Sequence, residues 1–334
     1  MGPRNKSGDD KVWGVGIFRR RCEEGASTNS MTAVATIATD VKWRRRWSVV
    51  LEPWIYLSPA LVIIATVLVV PLIIGISYSF WKFTAFKSQF AGLDQYRTLM
   101  KDEVLHGALL NTAWWTGGSL FFQFFLGLGL ALLLNKPFHG RKIVQALVFL
   151  PWAVPTFLTG LTWSWLFNPV IGPLPHVFYF LGIQSEPVTI LAHPSTAMWG
   201  PIIANVWFGI PFFAITLLAA RKSIPSELYE AAAIDGATAW QQFTKVTMPF
   251  LAPTIAITVM LRTVWIATFA DLIFVMTAGG PAGSTNTIAT YIYVSAFKAL
   301  DKGYASAIAV LLLVLLILYS LIVIQMRRHL MKEF

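Results

Sequence analysis

A single guanidinium, Arg262, stands inside an apolar run, and one carboxylate, Asp271, follows nine residues later. A charge there is expensive, and it marks a pathway, a buried pair or an escape to a polar boundary. Nine residues is two and a half helical turns, a rise of about 13 Å, too far for a direct pair along one straight helix. Two readings of Arg262 stay open. Its side chain snorkels to a nearby polar boundary, or it meets an anionic group on a ligand.

A second set of ionisable residues, Glu227, Glu230 and Asp235, falls in a polar stretch between apolar runs. Leu228, Ala231, Ala232 and Asp235 share one helical face at i, i+3, i+4, i+7 spacing. Alanines there let another protein approach the backbone, with Glu227 and Glu230 placed to pair with its basic residues. The alternative is a short alanine-rich helix lying on a membrane surface. Catalytic chemistry finds no support, since no clustered nucleophile or acid–base pair is visible. The five histidines are scattered without ligand spacing, and the lone Cys22 excludes an internal disulfide or a cysteine metal site.

The elements that position these residues follow from composition. Of 334 residues, 56% are hydrophobic and 13% charged, against about 25% charged in a soluble domain. Six apolar runs of spanning length appear, at roughly 54–80, 109–134, 143–167, 196–218, 253–277 and 304–326. The fold expected is an all-α membrane protein of six transmembrane helices. Interior prolines (Pro59, Pro71, Pro151, Pro155, Pro201, Pro211) predict kinked helices around a cavity. The net charge of +10 sits in clusters beside the apolar runs, which argues for membrane orientation and against nucleic acid. With the N-terminus inside, inner flanks hold thirteen Lys and Arg and outer loops six, so both termini are expected in the cytosol. Residues 1–46 are polar, carry no cleavable signal and read as a disordered tail; Met31 is an alternative start. Residues 47–334 form the membrane domain. Trp54, Trp81, Trp114, Trp115, Trp199 and Trp240 fall near span ends, and Trp163, Trp165, Trp207 and Trp265 deeper.

The inner loop 219–252 predicts a helical hairpin. Pro225 and Ser226 open a helix over Glu227 to Asp235, Gly236 ends it, and Thr238 with Gln241 forms a capping box for a second helix that Pro249 stops.

Glu230-Ala231-Ala232, then Gly236, then Val246-x-Met248-Pro249 resembles the coupling-loop signature of binding-protein-dependent ABC importer permeases. That signature reads E-A-A, three residues, G, nine residues, I-x-L-P; Val246 and Met248 replace Ile and Leu. Ile224 to Glu230, Ile234 to Ala237 and Trp207 to Phe212 are similar to the same family, and the likeness spans about residues 50–330. It implies a type I importer permease fold, with Glu227, Glu230, Ala231, Ala232, Asp235, Gly236 and Pro249 coupling to a cytosolic ATPase. No G-x-x-x-x-G-K-[ST] loop is present, so ATP and Mg are expected on the partner and no cofactor on this chain. The resemblance further implies a second homologous permease, two ATP-binding subunits, an extracytoplasmic solute-binding protein and a bacterial inner-membrane location.

Thr277 to Pro281, Ser284 to Thr287, Tyr291, Tyr293 and Phe297 are similar to the carbohydrate branch, and Gly92-Leu93-Asp94-Gln95-Tyr96 resembles its Gly-Leu-x-Asn-Tyr. Within it the chain looks like the first of two paired permeases, as in maltose and glycerol-3-phosphate importers. Counting from Glu230 and Gly279 as the family implies places a sugar path at Asn205, Gly209, Phe212, Arg262, Ile266 and Phe269. Asn205 and Phe212 equally suit helix–helix bonding and packing. If Arg262 meets the solute, the cargo is a phosphorylated, sulfonated or acidic sugar. The rival from another class, an ion-coupled transporter, calls for relay acids in its spans, and Asp271 is the sole acid beyond Glu52 at the first boundary.

Overall fold

The computed structural model describes residues 52–83, 87–183, 186 and 189–330. The tail 1–46, with Cys22 and Met31, lies outside them. The chain divides into two compact units, Met1–Ile73 and Ile74–Phe334.

Helix α1 is Glu52–Tyr78. A two-stranded antiparallel ribbon follows, β1 (Trp81–Phe83) and β2 (Ser88–Phe90), with Trp81 opposite Phe90. It is a small departure from the all-α expectation. Short α2 (Asp94–Leu99) leads to α3 (Glu103–Asn135), capped by Asp102, whose carboxylate accepts from the Val104 N–H at 2.8 Å.

The third expected span is broken. Helices α4 (Arg141–Ala153) and α5 (Thr156–Leu166) meet at 96°. Pro155 forces its predecessor Val154 into extended backbone, ψ 128°, and itself opens α5. Helix α6 (Pro173–Phe180) lies in the next loop, and α7 (Trp199–Lys222) forms the centre of the second unit, packed on α3, α4 and α5.

Helix α8 (Ser226–Ile234) precedes α9 (Ala239–Ala267). Contrary to expectation, Pro249 does not stop a helix: α9 runs through it without a break. A π-turn at Phe243–Thr247, with the Met248 N–H donating to Phe243 O, widens the turn that the Pro249 ring would otherwise hit. The same device, a π-turn at Ala65–Val69, precedes Pro71 in α1. The fifth span ends at Ala267 rather than 277, and α10 (Asp271–Thr277) is separate.

The loop after α10 carries a cis Gly280–Pro281 bond and is tied to α3 by Asn111, whose Nδ2 donates to Gly283 O (2.9 Å) and Asn286 O (3.0 Å). Helix α11 (Ile288–Tyr293) and the long α12 (Lys302–Leu330) complete the unit. Tyr319 of α12 donates to Thr263 of α9 at 3.0 Å. Large apolar side chains stand exposed along α3 (Leu110, Phe121, Phe125, Leu133) and α12 (Val314, Leu318, Leu321, Ile322). Such stripes suit a hydrocarbon surround.

Close packing of α3 on α7 depends on glycine. A Cβ at Gly127 would lie 2.4 Å from Phe213 Cβ, so only a bare Cα admits this approach.

Candidate functional site

Arg262 neither snorkels nor pairs with Asp271. Its side chain is 4% exposed. Its Nε donates to Gln123 Oε1 at 2.8 Å and its Nη2 to Asn205 Oδ1 at 3.3 Å. Gln123 Nε2 in turn donates to the Asn205 carbonyl at 2.8 Å. Three helices, α3, α7 and α9, thus meet at one buried polar cluster. No carboxylate lies within ion-pair distance of Arg262 among the described residues, and Asp271 is exposed in the first turn of α10.

The cluster opens on a cavity of about 360 Å³ lined by Trp152, Asn205, Phe208, Arg262, Trp265, Ile266, Thr268 and Phe269. Asn205, Arg262, Ile266 and Phe269 of the sequence-derived path are brought together on its wall. Gly209 and Phe212 stand behind it. Gly209 lets Gln123 and Arg262 close over its Cα, and Phe212 packs on Trp265 at 5.1 Å with the guanidinium 6.0 Å from its ring. Phe208 and Phe269 stack at 6.2 Å, their planes 18° apart. Trp265 reaches the cavity, while Trp165 is exposed and Trp163 packs on Phe167 and Trp207. Sequence reasoning missed Gln123, Trp152, Phe208 and Thr268. The one available signal was that Gln123 is the only amide between residues 112 and 134.

The cavity end of α9 is pinned as well. Trp115 of α3, fully buried, donates its indole N–H to Ile266 O at 2.9 Å, satisfying a carbonyl near the helix end.

The hairpin is rigid and differs in detail from its expected start. Pro225 occupies the N-cap of α8, and Ser226 is its first residue with no side-chain cap bond. At the other end Gly236 adopts φ +75°, Ala237 N donates to Ala232 O (2.9 Å) and Gly236 N to Ala233 O (3.1 Å). This is the Schellman arrangement. The Thr238–Gln241 capping box closes in both directions. Tyr229 OH meets Thr247 Oγ1 at 2.9 Å, and the Arg221 guanidinium lies 4.5 Å over the Tyr229 ring, bracing α8 against α9 and α7. Glu227, Glu230, Ala231, Asp235 and Gly236 are exposed, while Ala232 and Pro249 are half-buried. Two large apolar residues join that outward surface, Ile234 at 87% and Trp240 at 71% exposure. Neither was anticipated as a contact.

Membrane-length helices meeting at a buried polar cluster beside an aromatic-lined cavity, with a braced and outwardly exposed hairpin, define a multi-pass membrane transport subunit. The chain belongs to the family of binding-protein-dependent transport system inner membrane components, which it matches over residues 123–331. It is 33% identical over 269 residues to the trehalose/maltose transport system permease protein of Thermococcus litoralis, covering 79% of this chain and 90% of that one. It is 32% identical over 262 residues to the sulfoquinovosyl glycerol transport system permease protein of Agrobacterium fabrum, covering 78% and 84%. Among solved structures, a chain of a bacterial ABC transporter involved in the import of the acidic polysaccharide alginate superposes with a TM-score of 0.73 at 28% identity, covering 85% of this chain and 99% of that one.

Proposed function

We propose that this chain is the transmembrane permease of an ATP-driven importer for a sugar or sugar derivative, forming half of the translocation pathway beside a second homologous permease. The observation that carries this reading is the hairpin. A hairpin closed by the Schellman turn at Gly236 and the Thr238–Gln241 capping box, braced at Tyr229 and exposing Glu227, Glu230, Ala231, Ile234 and Trp240, is built to be gripped. Its partner is a cytosolic ATPase, present twice, which binds ATP and Mg. Closure of the ATPase dimer carries α8, and the rigid link through Thr247 passes the displacement into α9 and the cavity wall.

Both relatives named above are sugar permeases, and a related alginate importer structure includes a periplasmic protein bound to an alginate pentasaccharide. Here too an extracytoplasmic binding protein delivers the cargo, and the complex resides in a bacterial inner membrane with the hairpin and both termini on the cytosolic side. The ion-coupled alternative is disfavoured because no Asp or Glu is fully buried among the described residues.

Co-expression of the chain with the ATPase and permease encoded beside it, followed by purification and uptake measurement in proteoliposomes, tests the proposal. It expects a co-purifying ATPase and sugar uptake that requires ATP. Recovery of the chain without an ATPase, or uptake driven by an ion gradient alone, sinks it.

A further inference from the structure

We infer that the Arg262 cavity binds an anionic group of the cargo, so that the importer carries a saccharide bearing a carboxylate, sulfonate or phosphate. The inference rests on the importer reading above and adds the charge of the solute to it.

The argument is a balance of donors and acceptors. The two side-chain acceptors in the cluster, Gln123 Oε1 and Asn205 Oδ1, are both taken by Arg262. A guanidinium carries further N–H groups on Nη1 and Nη2, and these have no acceptor among the described residues. Asn205 Nδ2 is a second donor, buried and without a partner. Each amide oxygen already accepts from the cation, and the groups of Arg262 and Asn205 left without a partner, the remaining guanidinium N–H groups and Asn205 Nδ2, are donors. The charge is equally unbalanced: the cation is 4% exposed and faces neutral amides and two rings, Phe208 at 5.7 Å and Phe212 at 6.0 Å. Ring quadrupoles alone offset only part of the desolvation of a buried cation.

Mere cross-linking of helices would be served by a neutral amide or by an Arg–carboxylate pair. An arginine with open donors on the wall of a cavity is what recognition of an oxyanion requires. The rest of the wall suits a sugar ring, since Trp152, Trp265 and the parallel Phe208 and Phe269 offer flat apolar faces to pyranose C–H surfaces.

The test uses the complete importer in lipid nanodiscs, titrated calorimetrically with matched probes, glucuronate against glucose and α-1,4-digalacturonate against α-1,4-galactobiose. The acidic member of each pair is expected to bind about tenfold or more tightly. Gln123→Glu supplies an internal carboxylate beside Arg262 Nε with almost no change of shape, and it is expected to abolish that preference. Arg262→Gln removes the cation and is expected to do the same, which keeps the test decisive should the first variant fail to assemble. Arg262→Lys is expected to retain part of the preference. Equal binding of acidic and neutral probes, no binding of either acidic probe, or a preference untouched by Gln123→Glu or Arg262→Gln overturns the inference. ATP-driven uptake of a neutral sugar without acid preference would leave the importer reading intact and remove this one. An acid preference lost in Arg262→Gln, in a chain that recruits no ATPase, would do the reverse.

Discussion

Gly209 and Arg262 touch with no room between them: a Cβ at residue 209 would sit 2.4 Å from Arg262 Nη2 and 2.3 Å from Gln123 Cδ. Both are the ends of flexible side chains, but they are bonded to each other at 2.8 Å and to Asn205, so making room disturbs the cluster. Gly209→Ala is therefore expected to cost about 1–3 kcal/mol of stability, the usual range for overpacking, and to lower uptake by shifting the guanidinium. Thermal inactivation of the purified complex measures the first and proteoliposome uptake the second. An alanine variant of full stability and activity would show that the cluster is loose.

Removal of one partner should hurt more than removal of two. Gln123→Leu leaves the Arg262 Nε–H without its acceptor, and losing a bond to a charged group costs about 1.5–3 kcal/mol. Arg262→Leu in the same chain removes the stranded cation. The double variant is expected to be more stable than Gln123→Leu alone, a coupling measurable by denaturant titration. Simple addition of the two losses would mean that the residues act independently.

At the hairpin, φ +75° makes Gly236 the residue on which the turn depends. A branched side chain there is strained by about 1–2 kcal/mol, and Gly236→Val is expected to loosen the Schellman turn between α8 and α9. Its effect should be on transmission. The ATPase rate of the complex should lose its response to solute-loaded binding protein, while solute binding at the cavity is unchanged. A normal stimulated rate in Gly236→Val would place the coupling elsewhere.

These sites were unequally legible in the sequence. The hairpin was readable because its signals are local: Gly236, the Thr238–Gln241 box and the alanine face each act within one or two turns. The helix through Pro249 was not, because a π-turn at Phe243–Thr247 has no residue signature and yet removes the clash that makes proline a breaker. The break of the third span was half visible. Pro155 announced a kink, but a bend of 96° also needed Val154 to leave the helix altogether. The surroundings of Arg262 were the least accessible. Its acceptors come from residues 139 and 57 positions away, and no periodicity links them. A charge in an apolar run announces that a partner exists without saying which side chain supplies it.

Three elements are also joined at Asp102. Its Oδ2 accepts from Tyr291 OH of α11 at 2.6 Å and from Tyr304 OH of α12, while its Oδ1 caps α3. Burial pushes this carboxyl up, but bonds from Tyr291, Tyr304 and the Val104 and Leu105 N–H groups outweigh it and hold it below the ordinary 3.8. Burial, then the bond to Asp102, pushes Tyr291 up from 10.0 to about 12. The signs follow from linkage. A depressed acid stabilises the fold above its unfolded value of 3.8, and that contribution is lost as pH falls through the lower folded value. A raised tyrosine stabilises below 10.0, and that contribution is lost as pH rises through about 12. Between these limits the junction should be insensitive to pH. Asp102→Asn keeps a competent helix cap but replaces the charged acceptor, so it should lower the melting temperature at pH 7. The gap from the unaltered protein should narrow below about pH 4 as the carboxyl protonates. Differential scanning fluorimetry of both proteins across that range decides it, and a gap that does not change with pH would mean that the tyrosines gain nothing from the charge.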